Sequence, residues 1–331
     1  MPSLRNIITI ATLSLGTLGS AQQYVLSDQY DKSNFFSHFD FFDGDDPTHG
    51  FVNYLSKVES NNKLMAGSIK DKECVYLGVD HMTPNAQGGR ESTRVSSKAR
   101  YTYGLFVTDI EHMPGGCGVW PAYWMFGDGW PNKGEIDILE GVNSQATNAI
   151  TLHTAPGCVM SAAGGDGTHM TTGDCNAGEA KDGCSQGTKI PFGKAFNEMG
   201  GGVLATEWTS ATIQVWFFPR SAIPEDITSG NPDPTTWGTP SAKFSGDENC
   251  DIPQHFSEHQ IVFNTDFCGD WAGAVWGQDE ECRALAPTCE EYVANNGDAF
   301  RGAYWTINSV KVYNQAGPGK RDNAKRTTFS A

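Results

Sequence analysis

Three carboxylates, Glu135, Asp137 and Glu140, lie within six residues of the otherwise apolar stretch KGEIDILEGVN (residues 133–143). On a helix, side chains two residues apart diverge by about 200°, whereas on a strand they share a face. The β-branched isoleucines of this stretch favour a strand, so Glu135 and Asp137 should face one way and the isoleucines a core. Carboxylates on one face of a buried strand are candidates for acid–base or nucleophilic chemistry.

Glu140 has the wrong parity for this face, because five steps separate it from Glu135. One extra residue in a β-bulge next to Leu139 returns it to the acidic face and avoids burying a lone charge in the core. Four pleated steps then separate the two glutamates, about 13 Å between backbones, and side chains that lean inward bring the carboxyl groups to about 5 Å. This spacing predicts a retaining glycosidase, since an inverting enzyme needs about 6.5–9.5 Å.

Two other interpretations of the acidic row are a Ca²⁺ site and a solvated acidic face. A solvated face does not explain the apolar residues and tryptophans around the row. Ca²⁺ sites usually take Asn, Asp and carbonyl ligands from an irregular loop rather than from a regular strand. Crowding and partial burial should raise the pKa of at least one of the three carboxyl groups, and we therefore prefer catalysis.

Three tryptophans, Trp120, Trp124 and Trp130, lie just ahead of the acidic strand. Aromatic rings stack on the C–H faces of sugars while polar neighbours bond the hydroxyl groups. Core packing is the commoner role of any single tryptophan. Three within eleven residues indicate that at least one of them lines a cleft.

Alternation with period two recurs at residues 150–154, 212–218 and 309–313, with long Gly-rich loops between the alternating segments, notably residues 155–202. This pattern predicts an all-β sandwich. In the second segment, Trp216 and Phe218 lie opposite a face that is already apolar. The second face should therefore be either a cleft or a surface covered by a third layer, and we prefer the cleft.

The first 21 residues predict a secretory signal peptide, with Arg5, an apolar stretch over residues 7–18 and a small-x-small ending. A membrane anchor is the alternative, but the apolar stretch is too short to span a bilayer. No linker or composition shift divides the remainder. We therefore expect one catalytic domain over residues 22–315, a C-terminal tail over residues 316–331, and a secreted, extracellular protein.

The net charge of −16 argues against nucleic acid or an anionic membrane as a partner. A neutral polymer or a small molecule is the better expectation. The nine cysteines lack the spacing of a zinc site. In an oxidising compartment most of them should be paired and should tie down the long loops, with at least one buried thiol left free. The spacing leaves the connectivity open.

The segments WPAYWMFGDGWPNKGEIDILEGVN and TLHT resemble glycoside hydrolase family 16, and the Glu-x-Asp-x-x-Glu spacing resembles its laminarinase-type branch. Other stretches, among them NFFSHFDFF, EWTSATIQVWFFPR and FNTDFCGDWAG, are similar to secreted fungal endo-1,3(4)-β-glucanases. The resemblance implies a β-jelly-roll sandwich of two antiparallel sheets with a concave substrate cleft and disulfide-tied loops. It also implies retaining hydrolysis of β-glucans such as laminarin or lichenan.

By motif, the resemblance implies that Glu135 is the nucleophile and Glu140 the general acid/base. Asp137 matches the carboxylate that orients the nucleophile and tunes its charge. His153, in TLHT, matches a residue that can contact the acidic row, and alternation independently places it on the polar face.

Two further positions, Asn53 and Arg90, match residues that contact glucose hydroxyls, with a surface ion pair as the alternative for Arg90. The segment over residues 60–90 is longer than the resemblance leads us to expect. Its loop could reshape one end of the cleft, which leaves the pattern of sugar subsites open.

Three functions fit these observations: an endo-β-glucanase, a transglycosylase of the same fold, and a non-catalytic glucan-binding module. We prefer the first, because all three carboxylates are present and we expect no wall anchor at the C-terminus. No cofactor or catalytic metal is expected to be required, although the acidic stretch over residues 43–47 suggests a structural Ca²⁺ without the full ligand spacing. We expect a monomer whose partner is a β-glucan, with no nucleic acid or membrane partner.

Overall fold

The computed structural model describes residues 24–69, 71–162, 165–167, 170, 173–178 and 183–316. The predicted signal peptide and the predicted tail beyond residue 316 lie outside these residues. Within them, no helix is long and apolar enough to cross a membrane.

Strands dominate the chain, as the alternation predicts. In chain order they are β1 Tyr24–Tyr30, β2 Phe39–Phe41, β3 Val52–Tyr54, β4 Ala66–Ser68, β5 Val75–Gly78, β6 Arg90–Ser92, β7 Arg94–Ser97, β8 Gly104–His112, β9 Val119–Gly127, β10 Glu135–Glu140, β11 Thr147–His153, β12 Ser161–Ala162, β13 Cys184–Pro191, β14 Gly202–Trp208, β15 Thr212–Pro219, β16 Ala242–Ser245, β17 His259–Phe267 and β18 Tyr304–Gln315.

Helices are short and lie in the connections. They are α1 Phe35–His38, α2 Lys57–Asn62, α3 Lys194–Glu198, α4 Glu225–Thr228, α5 Ile252–His255, α6 Glu280–Arg283 and α7 Cys289–Asn295. Brief 3-10 turns occupy Arg220–Ala222, Pro234–Thr236, Trp276–Gln278 and Gly297–Phe300, and a π-turn occupies Gly269–Gly273.

Two large antiparallel sheets form the fold, which confirms the predicted all-β sandwich. The nine-stranded sheet has the order β12-β16-β15-β14-β8-β18-β5-β4, with β1 also pairing with β18. The seven-stranded sheet has the order β13-β11-β10-β9-β17-β7-β2. A small parallel pair, β3 with β6, lies beside them. In the seven-stranded sheet the acidic strand β10 is therefore interior, paired on both sides.

The main core fills the space between the sheets. Ile136 and Ile138 of β10 pack there with residues from the facing sheet, such as Phe106 and Val215, and all four are fully buried. Burying an aliphatic side chain of this size contributes about 1.5–3 kcal/mol. The isoleucines therefore hold β10 flat against the core, which fixes its opposite face toward solvent.

The second face of β15 is covered by a third layer, so our preference for a cleft there is wrong. Trp216 is 4% exposed, and its ring lies edge-on to Trp237 with centroids 5.5 Å apart. Ile227 of α4 and Phe218 join the same cluster. The segment after β15 folds back over these aromatic side chains because burying them is favourable, and leaving them in water would forgo that stabilisation.

The described part of residues 155–202 is less irregular than the glycine content predicts. β13 and α3 lie within this segment, and β13 forms an edge of the seven-stranded sheet. Buried and partly exposed residues alternate along β13, a period-two signal obscured by its Gly and Gln.

Four disulfides join the connections, and one thiol stays free and buried, as predicted. The pairs are Cys117–Cys282, Cys158–Cys250, Cys175–Cys184 and Cys268–Cys289, and the free residue is Cys74. The first two close loops of 165 and 92 residues, for which the chain-entropy estimate is about 4–5 kcal/mol each. These bridges fix the long connections that frame the cleft described next.

Candidate active site

A cleft of about 1010 Å³ lies on the outer face of the seven-stranded sheet. All three tryptophans of the lead-in line it, together with the whole acidic row. The lining residues are Pro47, Thr48, Arg94, Trp120, Ala122, Trp124, Phe126, Asp128, Gly129, Trp130, Glu135, Asp137, Glu140, Ala149, Thr151, His153, Ser185, Asn264, Asp266, Asp270 and Trp271.

The predicted bulge in β10 is confirmed by the strand register. Glu135 pairs with Phe126 of β9, and Glu140 pairs with Ala122, so five steps on β10 match four on β9. The same count holds on β11, where the two glutamates pair with His153 and Ala149. The extra residue returns Glu140 to the cleft face, four pleated steps or about 13 Å of backbone from Glu135.

A tight turn delivers the chain into β10. Gly134 has a φ of 76°, which favours glycine. A Cβ at this position would lie 2.5 Å from the Phe256 ring and 2.6 Å from the carbonyl oxygen of His255. Glycine is therefore required both by the backbone and by the space, directly before Glu135.

His153 lies against the acidic row, as its match and its parity predict. Its Nε2 is 3.2 Å from Oδ2 of Asp137 and 3.9 Å from Oε1 of Glu135. The Asp137 side chain is 3% exposed, against 15% for Glu135. Asp137 is thus the enclosed member of the row, between a histidine and a second carboxyl group.

These three side chains also offer one ligand atom each within 4.8 Å of one another, an arrangement that could hold a cation. In the structure Nε2 of His153 lies within ion-pair distance of both carboxyl groups, and Oδ2 of Asp137 is buried without a hydrogen-bond partner.

Burial raises the pKa of all three carboxyl groups, and crowding adds to the rise for Glu135 and Asp137. For Glu135, burial is the main cause and the negative charge of Asp137 adds to it, while His153 and a hydrogen bond from Trp130 oppose the rise. Burial also raises the pKa of Asp137 well above its usual range, with Glu140 adding to it. Like charges in a poorly solvated site cannot all ionise freely, so the row holds protons that isolated carboxyl groups would release.

Glu140 is held by a tryptophan. Nε1 of Trp120 donates to Oε1 of Glu140 over 2.8 Å. This bond opposes the rise in the Glu140 pKa that burial causes. Trp271, from the π-turn that follows Cys268, lies edge-on to Trp120 with ring centroids 5.7 Å apart. The bond leaves the other carboxyl oxygen of Glu140 available to the cleft.

Trp124 and Trp130 complete the aromatic lining. Nε1 of Trp124 donates to Oδ1 of Asn264 over 2.7 Å, and its ring stacks on Phe126 with centroids 4.9 Å apart. The guanidinium of Arg94 lies 5.2 Å from the Trp124 ring. Trp130 is the most exposed of the three, at 40%, and offers a flat apolar surface to the cleft.

Arg90 and Asn53 are not among the residues that line the cleft. The burial of Arg90 contradicts its predicted contact with sugar, whereas the contact predicted for Asn53 stays a prediction. Arg90 is fully buried, donates to the carbonyl of Val293, pairs with Asp80 at 3.2 Å and lies over the Phe300 ring. Asn53 is exposed and donates to the carbonyl of Gly89. Both sit on the small parallel pair, and Arg90 serves to anchor α7 to it.

Several cleft residues were not identified from the sequence. Asn264 and Asp266 alternate within the apolar strand β17, a signal of the same kind as the acidic row. Arg94 follows Arg90 on a separate strand and could have been distinguished only by its environment. Ser185 lies in the segment expected to be loop, and Trp271 lies in a turn that no periodicity marks.

A second acidic pair borders the cleft, formed by Asp46 and Asp266. The Thr48 hydroxyl bonds both carboxyl groups, at 2.6 and 3.0 Å. Burial, and then the charge of Asp46, raises the pKa of Asp266 well above its usual range. Asp46 also accepts from the amides of Thr48 and Gly50. The structural Ca²⁺ suggested for this stretch stays a prediction.

The sandwich fold is shared with a solved laminarinase and a related enzyme. The structure is similar to Laminarinase 16A from Phanerochaete chrysosporium, which was solved with two β-glucans in its donor and acceptor sites (TM-score 0.82, 42% identity, 88% of this chain and 100% of that chain). It is also similar to an elongating family 16 β-1,3-glucosyltransferase (TM-score 0.80, 41% identity, 88% and 100%).

The family follows from the sequence match. Residues 39–313 match the family described as "XgeA-like, catalytic GH16 domain". The chain belongs to glycoside hydrolase family 16. It is 46% identical to an endo-1,3(4)-β-glucanase of Arthroderma benhamiae over 91% of this chain and 67% of that protein. It is 40% identical to the endo-1,3(4)-β-glucanase xgeA of Emericella nidulans, over 96% and 51%, so it spans half to two thirds of these two relatives.

The raised pKa of Glu135 makes this residue a cost to folding at neutral pH. The folded state keeps the Glu135 proton at pH values above 4.5, the ordinary pKa at which the unfolded chain releases it. The protonated side chain therefore contributes stability that is fully present below pH 4.5 and is lost as pH rises through the folded-state pKa. Glu135→Gln should therefore raise Tm at pH 7, by roughly 2–4 °C per kcal/mol recovered, and the gain should disappear below pH 4.5. Calorimetry across pH measures both.

Glu258→Gln is the control, because Lys133 lowers the pKa of this exposed carboxyl group. It should give no gain at pH 7. An equal rise in Tm at pH 4 and pH 7 for Glu135→Gln would contradict the electrostatic explanation.

Proposed function

We propose that this chain is a retaining endo-β-glucanase that hydrolyses 1,3-linked and mixed 1,3/1,4-linked β-glucans. The observation that carries the proposal is the bulged register of β10, which sets Glu135 and Glu140 on one cleft face four steps apart. This is the separation from which two glutamates can meet at about 5 Å across a glycosidic bond. The names of the relatives, endo-1,3(4)-β-glucanases, support the substrate class.

In the first step, Glu135 attacks the anomeric carbon and forms an ester bond to it. The glycosidic C–O bond breaks, and Glu140 gives its proton to the departing oxygen. In the second step, Glu140 takes a proton from water, the water oxygen bonds to the anomeric carbon, and the ester to Glu135 is released. Two inversions leave the anomeric configuration unchanged.

The crowding of the row serves this cycle. Burial raises the pKa of Glu140, which keeps the acid protonated before the first step. When Glu135 becomes an ester its negative charge leaves the row, so a negative charge on Glu140 meets less repulsion when this residue must act as a base. Asp137, between the two glutamates in the row, pairs with His153 and so shapes the field in which Glu135 changes its charge.

The cleft suits an internal segment of a polysaccharide. It extends across six neighbouring strands, from Ser185 on β13 to Arg94 on β7. Five gaps of about 4.8 Å give roughly 24 Å across the strands, enough for several sugar rings. Trp120, Trp124 and Trp130 would stack on the apolar faces of these rings, while Asn264, Asp266 and Arg94 offer bonds to hydroxyls.

The remaining features of the proposal concern the setting of the reaction. The four disulfides fit an oxidising compartment, which supports secretion and an extracellular polysaccharide substrate. The chemistry uses only carboxyl groups and water, so no cofactor is required. We propose a monomer, since one chain supplies the whole acidic row.

Replacing either glutamate should abolish activity. Glu135→Gln removes the nucleophile and Glu140→Gln the proton donor. Each should lower kcat on laminarin by at least about 10²-fold, measured as reducing sugar released, while the circular dichroism spectrum stays native. Glu207→Gln is a matched control, because Glu207 is 8% exposed but bonds Tyr24 and Gln214 on the other sheet. Full activity of Glu135→Gln would end the assignment.

Transfer to a sugar acceptor is a second candidate. It is favoured by the 41% identity to an elongating β-1,3-glucosyltransferase, and it shares the first step, with a glucan hydroxyl replacing water in the second.

Product size separates the two outcomes. With laminarihexaose as substrate, hydrolysis should give only shorter oligosaccharides by mass spectrometry, at low and at high substrate concentration. Products longer than six glucose units, made in preference to shorter ones at low concentration, would instead identify a transferase.

A further inference from the structure

The bulge that brings Glu140 into the cleft breaks the hydrogen-bond ladder of β10. Residues 138 and 139 together oppose a single residue of β11, between the pairs Asp137 with Thr151 and Glu140 with Ala149. Toward β9, the register slips between Asp137 and Leu139. Ile138 and Leu139 are both fully buried, so water cannot replace the ladder bonds that the bulge removes.

One side chain takes the place of those bonds. Nδ2 of Asn148 donates to the carbonyl oxygen of Ile138 over 2.8 Å, and its Oδ1 accepts from the backbone amide of Glu140 over 2.8 Å. A carboxamide carries the same donor and acceptor as a peptide group. The Asn148 side chain therefore acts as an inserted peptide unit that closes the gap on both sides of Leu139.

Asn148 is itself fixed. It is 1% exposed, and it lies on β11 between the pairs Thr147 with Pro191 and Ala149 with Gly187, where one residue matches three of β13. The hydroxyl of Thr188 donates to the backbone carbonyl oxygen of Asn148 over 2.8 Å. Its carboxamide is thus directed at β10 by the neighbouring strand, below the floor of the cleft.

We propose that Asn148 is a positioning residue for the acid/base, holding the bulge through the Ile138 carbonyl and the Glu140 amide so that Glu140 stays on the cleft face. This inference rests on the proposed function, since it assigns the role of Asn148 through Glu140. A strand that loses one bulge residue from its register turns every following side chain to the other face. Trp120 fixes the carboxyl end of Glu140, and Asn148 fixes its backbone end.

The test separates misplacement of an acid/base from a general loss of folding. Asn148→Leu keeps the shape and removes both bonds, and Asn148→Ala leaves room for water to replace them if the leucine variant does not fold. Asn197→Leu is the matched control, because Asn197 also bonds a backbone amide and a backbone carbonyl, both of Met113 at 2.9 Å, away from the cleft.

The readout compares two substrates. On laminarin, whose leaving group needs a proton, kcat should fall about 10²-fold with KM unchanged. On 2,4-dinitrophenyl β-laminaribioside, whose leaving group needs none, the burst of dinitrophenolate should persist. Azide should then restore turnover, because it attacks the anomeric carbon and releases the Glu135 carboxylate without a base, giving a β-glycosyl azide. The Asn197 variant should lower activity on both substrates equally, if at all.

A measurement that does not depend on activity accompanies it. Amide hydrogen exchange in the Asn148 variants should show lost protection at Glu140, with protection kept at Ile136. A folded Asn148→Leu protein with wild-type kcat on laminarin, or an equal loss on both substrates with no response to azide, would overturn the inference. A wild-type chain that releases no sugar would instead overturn the proposed function, while exchange at Glu140 would still decide the role of Asn148 in the bulge.

Discussion

The structure depends on one extra residue in strand β10. Without it, Glu140 would point into a core that already contains Ile136 and Ile138, and the cleft would hold one glutamate instead of two. With it, both glutamates face the cleft four pleated steps apart, the arrangement from which we infer a double displacement. The interior position of β10, paired on both sides, makes this irregularity rigid, so its geometry is built into the sheet rather than into a loop.

The second constraint is electrostatic. Three carboxyl groups share a poorly solvated strip, where burial raises the cost of ionising each of them and neighbouring negative charge adds to that cost for Glu135 and Asp137. Apart from His153, which lies against Asp137, the compensation comes from neutral donors, such as the indole of Trp120. The site thus retains protons, and burying its carboxyl groups lowers the stability of the fold. The two large sheets and four disulfides offset this loss of stability.

Much of the acidic strand could be predicted from the alternation of side chains along the sequence. The alternation of Glu135 and Asp137 with buried isoleucines predicted the strand, its orientation and the bulge, because a side-chain period of two leaves few alternatives. Burial that depends on distant segments could not be predicted in this way. Arg90 resembles a cleft residue by motif but is buried beneath α7, and the aromatic face of β15 is covered by a segment that no local pattern marks. Disulfide pairing likewise follows from the fold rather than from spacing.

The most direct test of the account is to trap the covalent intermediate. A 2-deoxy-2-fluoro-β-laminaribiosyl fluoride should form the ester rapidly and hydrolyse slowly, because the fluorine destabilises both transition states while fluoride leaves without protonation. Peptide mapping by mass spectrometry should then find the fluorinated disaccharide on Glu135. An adduct on Glu140, or turnover of laminarin with inverted products and no adduct, would contradict the roles that the bulged strand assigns to its two glutamates.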